Sequence, residues 1–580
     1  MNKTDDRNLY ALARHLGVGC ALLGVLSGAC EDKKGKPTDA VAPQSSGSST
    51  VVPPGTVKLT IAYGSEKKTW LEEQAKKFEA SGAKTASGKR IKIETKATGS
   101  GEAMQGVLEG TSKPHVFSPA SNLYVSLLND FWQQKPGNTK PLTKGGDALV
   151  LSPIVIGMWK PMAEALGWPK KQLSWRDLLK VATDPKGWAT YKFPEWGRFK
   201  FAHTHPEFSN SGYQAILAEA YAGAGKSKDL TLADLDAKPT RQFLTDVEQT
   251  IVHYGKSTGF FMEKMEDRGP TFLSAAVLYE NLVIESYGKG KAQQPLVAVY
   301  PTEGTFWSDH PYAVLDAPWV GADERAAADA FQTFLKDRPA QERAMELGFR
   351  PADPKITIAA PIDMAHGVDP KQPQTLLPLP DAKVLERLLQ VWNETKKGAD
   401  VLFVFDKSGS MRGRPLQEAK SGAKTFVKAL ADRDEVTLLF FDNQVYPPVG
   451  PNKLASQRET TNGRIDMTIA DGGTALYDAI AQAYDIALAR AKTQPHQIHA
   501  VVVMTDGKDE NSKMTLEQLK AKFPKEEGAG GFGVKVFTIA YGAQAEGQIL
   551  AEIAEAAKGS SAKGNVDTIK DVYLEMASFF

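Results

Sequence analysis

From Val401 the chain reads Val-Leu-Phe-Val-Phe-Asp406-Lys-Ser408-Gly-Ser410-Met, an apolar run that stops on one carboxylate and two small hydroxyls. A buried strand that ends this way delivers three hard oxygen donors to one short loop. Hard oxygens suit a hard divalent cation such as Mg²⁺, which wants octahedral oxygen ligation and keeps some of its waters. Two further pieces lie downstream. Asp471-Gly-Gly-Thr474-Ala-Leu opens a helical pattern, and His499-Ala-Val-Val-Val-Met-Thr-Asp506-Gly is a second apolar strand ending in an acid.

The surrounding pattern says what kind of sheet carries these loops. Strand-like runs at 401–406, 436–442, 500–506 and 534–541 alternate with helical patterns at 416–430, 474–491 and 548–557. Such alternation predicts a parallel, doubly wound, Rossmann-like α/β sheet. Ligands of these sheets sit beyond the carboxyl ends of the strands, where Asp406 and Asp506 fall. One Asp or Ser after a strand often only caps the next helix; three loops in agreement point to a metal site.

At these residues the segment from about 399 to 580 resembles the von Willebrand factor type A family. The adhesion site of that family uses Asp-x-Ser-x-Ser, a Thr and an Asp in this order. The resemblance assigns Asp406, Ser408, Ser410, Thr474 and Asp506 as metal residues, with Mg²⁺ (or Mn²⁺ or Ca²⁺) as the ion. It also implies binding rather than chemistry, with a partner protein's acidic residue filling the open coordination position. No activated nucleophile or general base is visible beside the expected metal. His496 and His499 flank the entry to an inner strand and are read as structural.

The N-terminus sets an expected compartment. Lys3, Arg7 and Arg14 precede a short apolar run, Leu16 to Leu26, followed by Ser27-Gly28-Ala29-Cys30. A basic start, about ten apolar residues and a small-residue cut describe a secretory signal too short to span a bilayer. Small residues before Cys30 resemble the bacterial lipobox, although the large aliphatic residue, Leu26, stands one place early. The resemblance implies lipidation of Cys30 and an anchor in a bacterial membrane, with the body facing the periplasm or exterior. Both cysteines, Cys20 and Cys30, lie in this leader, so the exported body is expected to hold no disulfide. Residues 31–56, rich in Lys, Ser, Gly and Pro, read as a flexible linker.

Residues 57–358 form the second expected domain, long enough for two lobes. A strand, Val57 to Tyr63, runs into Gly64-Ser65, then an amphipathic helix through Trp70, Leu71 and Phe78. Strand Ile91-Lys-Ile-Glu, Thr98-Gly-Ser100-Gly, a helical stretch from Met104 to Leu108, and Val116-Phe-Ser118-Pro-Ala-Ser follow. Hydroxyls and free amides at helix starts make ready anion or polar-ligand sites, although a Ser there is more commonly a cap. In this order the motifs resemble the two-lobed extracellular solute-binding proteins of ABC importers. That resemblance extends to Phe208-Ser-Asn-Ser211-Gly-Tyr, Ala276-Val-Leu-Tyr279 and Leu347-Gly-Phe-Arg350-Pro. It implies a periplasmic-binding-protein-like fold with Ser65, Ser100, Ser118, Ser211 and Tyr279 as ligand contacts for a small polar or anionic solute. The many Trp of this segment are read as core.

Lys+Arg 70 against Asp+Glu 69 leaves no electrostatic pull toward nucleic acid. Glu102, Glu109 and Glu280 show no spacing that supports glycosidase chemistry. Residues 359–397 read as a Pro-rich, semi-rigid connector ending in a helical stripe from Leu385 to Trp392, before the last domain, 398–580. The expectation is a non-enzymatic envelope protein with metal-dependent protein binding and possible solute capture. The alternative is an ABC-importer binding component that uses its C-terminal domain for docking.

Overall fold

The computed structural model describes residues 55–288, 294–524, 533–542 and 544–580. The expected signal segment, Cys30 and most of the linker lie outside the described residues. Three sheets organise what is described.

Strands β1 (Thr56–Gly64), β2 (Arg90–Thr98), β3 (Val116–Ser118) and β4 (Asp147–Ala148) belong to the first. The alternation in Thr-Val-Lys-Leu-Thr-Ile buries Val57, Leu59 and Ile61 under helices, while β2 keeps every second residue in water as an edge should. Strands β5 (Val150–Trp159), β6 (Phe201–Ala202), β7 (Ala275–Tyr279), β8 (Leu296–Val299) and β9 (Trp307–Ser308) form the second sheet. The chain then returns through β10 (Pro311–Val314) to the first, giving the order β2-β1-β3-β10-β4, and ends the pair with β11 (Arg350–Pro351) on β5. Two lobes joined by crossing strands result. Trp70, Trp159 and Trp188 are fully buried, as read from the sequence.

The third sheet contains β12 (Ala399–Asp406), β13 (Glu435–Phe441), β14 (Val449–Lys453), β15 (Ile498–Thr505), β16 (Lys535–Tyr541) and β17 (Ser561–Gly564), in the order β14-β13-β12-β15-β16-β17. Every neighbouring pair is parallel except β13 with β14. Helices Arg414–Ala429, Leu476–Thr493 and Gly547–Ala556 alternate with the strands, within two residues of the sequence expectation. From β12 the chain winds one way to β13 and the other way to β15, so the order reverses at the end of β12. That reversal opens the crevice where ligands of such sheets bind.

The stretch before β12 is more tightly held than a spacer. Residues 359–380 run along the second lobe, where Ala298 N–H donates to Gly367 O (2.8 Å), Thr305 N–H to Thr375 O (3.1 Å) and Tyr221 Oη to Pro378 O (2.9 Å). Proline content alone could not reveal these bonds, because they belong to the surface the chain lies on. Helix Ala382–Thr395 follows and buries Trp392 against His205 and Tyr254.

The C-terminal domain seats on the same lobe. Lys396 Nζ donates to Phe580 O (2.6 Å), Arg268 Nη2 to Gly559 O (2.8 Å), and the Phe579 ring meets Phe260 and His253.

Candidate functional site

The end of β12 is built to hold oxygen atoms close together. β12 is buried along its whole length between β13 and β15, which fixes where Asp406 emerges. Its carboxylate accepts from Thr505 Oγ1 at 2.5 Å through Oδ2 and from Ser408 N–H at 2.8 Å through Oδ1. Ser408 Oγ lies 3.0 Å from Ser410 Oγ, and Ser410 Oγ donates to Asp506 Oδ1 at 2.6 Å. The loop carrying Thr474 is tied in by its backbone: Gly409 N–H donates to Gly472 O (2.9 Å) and Asp471 N–H to Lys407 O (2.8 Å). A Cβ placed on Gly507 would stand 3.3 Å from Thr474 Oγ1 and 3.8 Å from Ser410 Oγ, so both hydroxyls border the same small space. All five residues expected from the sequence meet here.

The electrostatics favour a cation. Asp406 has no exposure, and burial pushes its carboxyl up to about 6, against the hydrogen bonds from Thr505 and Ser408; the charge of Asp506 adds to the rise. Burial also raises Asp506. The neighbouring cation, Lys407, turns away and pairs with Asp442 and Tyr446. Two carboxylates and three hydroxyls without a cationic partner at their centre are a donor set that fits a hard divalent ion.

Two supporting residues escaped the sequence reading. Thr505 orients Asp406, and Asn511 Oδ1 receives Thr474 N–H at 2.9 Å. Thr505 directly precedes Asp506, so the Met-Thr-Asp end of the strand carried its signal; Asn511 carried none. His499 lies at the opposite end of β15, against Asp400 (3.1 Å) and Gln494 O (2.8 Å).

The expected solute contacts sit differently. Ser100 Oγ accepts from Ala120 N–H (3.0 Å), and Tyr279 Oη accepts from Asn210 Nδ2 (3.0 Å). Ser211 Oγ is bonded to Thr204 Oγ1 (2.7 Å) and Thr258 Oγ1 (2.6 Å). Ser118 is fully buried, and its hydroxyl has no hydrogen-bond partner. The lobes close directly on one another here. Gly101 and Glu102 N–H both point to Phe208 O (3.0 and 3.3 Å), and Ser121 Oγ donates to Asn210 Oδ1 (2.7 Å). The helix-start amides that an anion would use are thus occupied by the protein's own carbonyl.

A buried ion cluster backs the closed cleft. Lys67 Nζ, without exposure, donates to Glu66 Oε1 (3.1 Å), Ser118 O (3.0 Å) and Pro119 O (3.1 Å), and His310 Nδ1 stands 3.2 Å from Glu66 Oε1. Burial alone would raise the Glu66 carboxyl, but Lys67 and His310 outweigh it and hold it at about 2. Of the expected contacts, Ser65 lines a cavity of about 850 Å³ beside this seam. Thr98, Glu102 and Lys256 border it from the lobes, and Leu574 and Glu575 from the C-terminal domain. Glu102 pairs with Lys256 at 2.9 Å.

Comparison with known proteins gives two successive family matches along the chain. The family described as bacterial extracellular solute-binding protein matches residues 59–350, and the von Willebrand factor type A domain matches residues 400–574. The magnesium-chelatase 67 kDa subunit of Heliobacterium mobile is 31% identical over 118 residues, 20% of this chain and 17% of that subunit. The inter-alpha-trypsin inhibitor heavy chain H4 of Sus scrofa is 29% identical over 122 residues, 20% of this chain and 13% of that one. The chain therefore spans less than a fifth of the length of either relative. Among solved structures, a periplasmic thiamin binding protein is 13% identical, covering 59% of this chain and 96% of that one at a TM-score of 0.43.

Thr505→Val keeps the shape of the side chain but removes one of two donors to Asp406. It is expected to weaken Mg²⁺ or Mn²⁺ binding roughly 10–100-fold in isothermal titration. Unchanged affinity would show that Thr505 does not orient the carboxylate.

Proposed function

We propose, from the premise that this chain belongs to the bacterial extracellular solute-binding protein family, that it is a cell-envelope protein with two binding modules. The C-terminal module binds an acidic side chain of a protein partner with the help of a divalent cation, Mg²⁺ or else Mn²⁺ or Ca²⁺. Asp406, Ser408, Ser410, Thr474 and Asp506 hold the ion, and Thr505 and Asn511 position them. Once held, the cation supplies a coordination position that a carboxylate can fill. The observation that carries this reading is the convergence of three loops on one crevice, where among the described residues no cationic side chain is bonded to either carboxylate.

The test is a pull-down from envelope extract with the exported body in Mg²⁺ and in EDTA, with Asp406→Ala beside the wild type. A partner is expected only with the wild type in Mg²⁺. Equal capture by Asp406→Ala would remove the metal from the account.

The anchor belongs to the same proposal. Lipidation of Cys30 tethers the body to a bacterial membrane, and the motif Ser27-Gly28-Ala29-Cys30 supports it. Cys30→Ser is expected to move the protein from the membrane pellet to the soluble fraction; retention in the pellet would refute the anchor.

A second reading, solute capture as part of an ABC-type importer, is supported by the cavity of about 850 Å³ next to Ser65, a size within the usual range of small-molecule pockets. A small polar or anionic solute bound there is expected to raise the melting temperature of the wild type but not of Ser65→Trp. Equal shifts in both would place the solute elsewhere.

A further inference from the structure

Inside the second lobe, away from both sites above, three side chains with chemistry to offer are packed together with no exposure at all. His203 follows β6, Glu219 lies on helix Asn210–Ala224, and Glu248 ends helix Lys238–Glu248. One ligand atom from each lies within 4.8 Å of the other two. Fully buried carboxylates are costly unless something positive faces them.

The hydrogen bonds define what is missing. His203 Nδ1 lies 2.8 Å from Thr204 O, a carbonyl that can only accept, so Nδ1 carries a proton. In the neutral ring the other nitrogen then presents a lone pair, yet Nε2 faces Glu248 Oε1 at 3.0 Å. The contact is satisfied either by a protonated ring that donates to Glu248 or by a cation that both groups bind. Glu248 has its second oxygen satisfied by Tyr254 Oη at 2.5 Å. Glu219 receives no bond from a donor of another residue type among the described residues; both its oxygens are buried, and burial and the neighbouring Glu248 push its carboxyl well above the usual range.

Lys396, Lys397 and Arg433 act on Glu248 through space, but among the described residues none of them is bonded to a carboxylate of the cluster. Lys396 Nζ goes to Phe580 O (2.6 Å), Lys397 Nζ to Ile251 O (3.0 Å) and Arg433 Nη1 to Glu394 O (3.1 Å).

We infer that His203, Glu219 and Glu248 form a buried site for a divalent transition-metal ion. Binding of a dication releases the acidic protons of the cluster, so that two carboxylates and the ion sum to zero charge and the imidazole lone pair becomes a ligand. One nitrogen with two carboxylates suits Zn²⁺, Mn²⁺ or Fe²⁺ better than Mg²⁺ or Ca²⁺, which prefer oxygen throughout. The outer hydrogen bonds match the pattern that orients metal ligands: a carbonyl on the far nitrogen of the His, and a hydroxyl on the far oxygen of the Glu. The site differs in chemistry from the all-oxygen centre at β12, so the two ions are separable.

The placement gives the ion a structural task. Tyr254, which holds Glu248 by its hydroxyl, packs its ring on Trp392 and donates its own N–H to Phe579 O at 3.4 Å. An ion at Glu248 therefore fixes the surface on which the C-terminal domain seats. With all three ligands enclosed, it enters as the lobe folds and does not exchange freely.

The test uses the full chain carrying Asp406→Ala, so that the other centre is silent, produced in medium supplemented with Zn²⁺ and dialysed against metal-free buffer. Metal content per chain is read by mass spectrometry. Close to one equivalent of a transition metal is expected, falling tenfold or more when Glu219→Gln is added. Unfolding in EDTA and refolding with Zn²⁺ is expected to give a higher melting temperature than refolding without it. A negligible metal content in the Asp406→Ala chain overturns the inference, whatever the folding of Glu219→Gln. That result would assign the cluster a proton shared between Glu219 and Glu248. Metal retained undiminished in the folded Glu219→Gln variant overturns it as well, by placing the ion elsewhere.

Discussion

Asp406 brings a carboxylate to the end of a strand that has no exposure, and the protein sets only a hydroxyl and one backbone amide against the cost of that burial. The C-terminal domain is arranged around this imbalance. Parallel strands covered on both faces force their ends into a low-dielectric rim. The reversal of strand order at β12 then leaves a crevice between loops, and Asp506 arrives there from β15. Lys407, next to Asp406 in the chain, is drawn off by Asp442 and Tyr446. What stays behind is a negative pocket whose natural complement is a small, hard cation.

Elsewhere the chain settles the same difficulty with its own groups. Glu280, buried in the second lobe, takes both arms of Arg350 at 2.8 and 2.7 Å along with the hydroxyl of Tyr300. Glu66 is matched by Lys67 and His310. These pairs are complete, and removing one partner of such a pair costs far more than the pair itself contributes. Asp406 and Glu219 differ from these pairs, because among the described residues no cationic side chain is bonded to either.

Much of this was legible in the sequence where the information is local. The strand runs of the last domain alternate with helices whose buried faces repeat every 3.6 residues, and each strand ends on a residue that names its loop. Asp406, Ser408 and Ser410 span five positions, so their proximity needs no tertiary knowledge; Thr474 and Asp506 were placed by loop order and family pattern. The closed cleft was not legible. Lys67 and His310 are separated by 243 positions, and a charged residue next to Ser65 reads as surface until the opposite lobe covers it. Ser100 and Ser211 were correctly placed at helix starts, yet whether their loops face a solute or each other depends on lobe closure. His203, Glu219 and Glu248 come from a strand end and two helices, with no spacing that marks them. The connector misled for a related reason: its prolines describe local stiffness, while the bonds from Gly367, Thr375 and Pro378 to the second lobe fix its path.

The two modules share more than a linker. Helix Ile569–Ala577 contributes Leu574 and Glu575 to the cavity beside Ser65, and helix Arg414–Ala429 contributes Thr425 and Lys428. These two helices pack on each other through Tyr573, whose ring centroid lies 6.1 Å from that of Phe426. A Cβ at Gly422 would come within 2.4 Å of the Tyr573 ring, so the approach leaves no room for a larger side chain there. Helix Arg414–Ala429 begins three residues after the short turn Gly409–Met411, which carries Ser410. A molecule bound in the cavity and an ion held at Asp406 would both touch this one pair of packed helices or the turn that leads into it. Coupling along such a contact is reciprocal by thermodynamic necessity: a solute that displaces Leu574 and a partner that draws on Ser410 would each alter the other's affinity by the same factor.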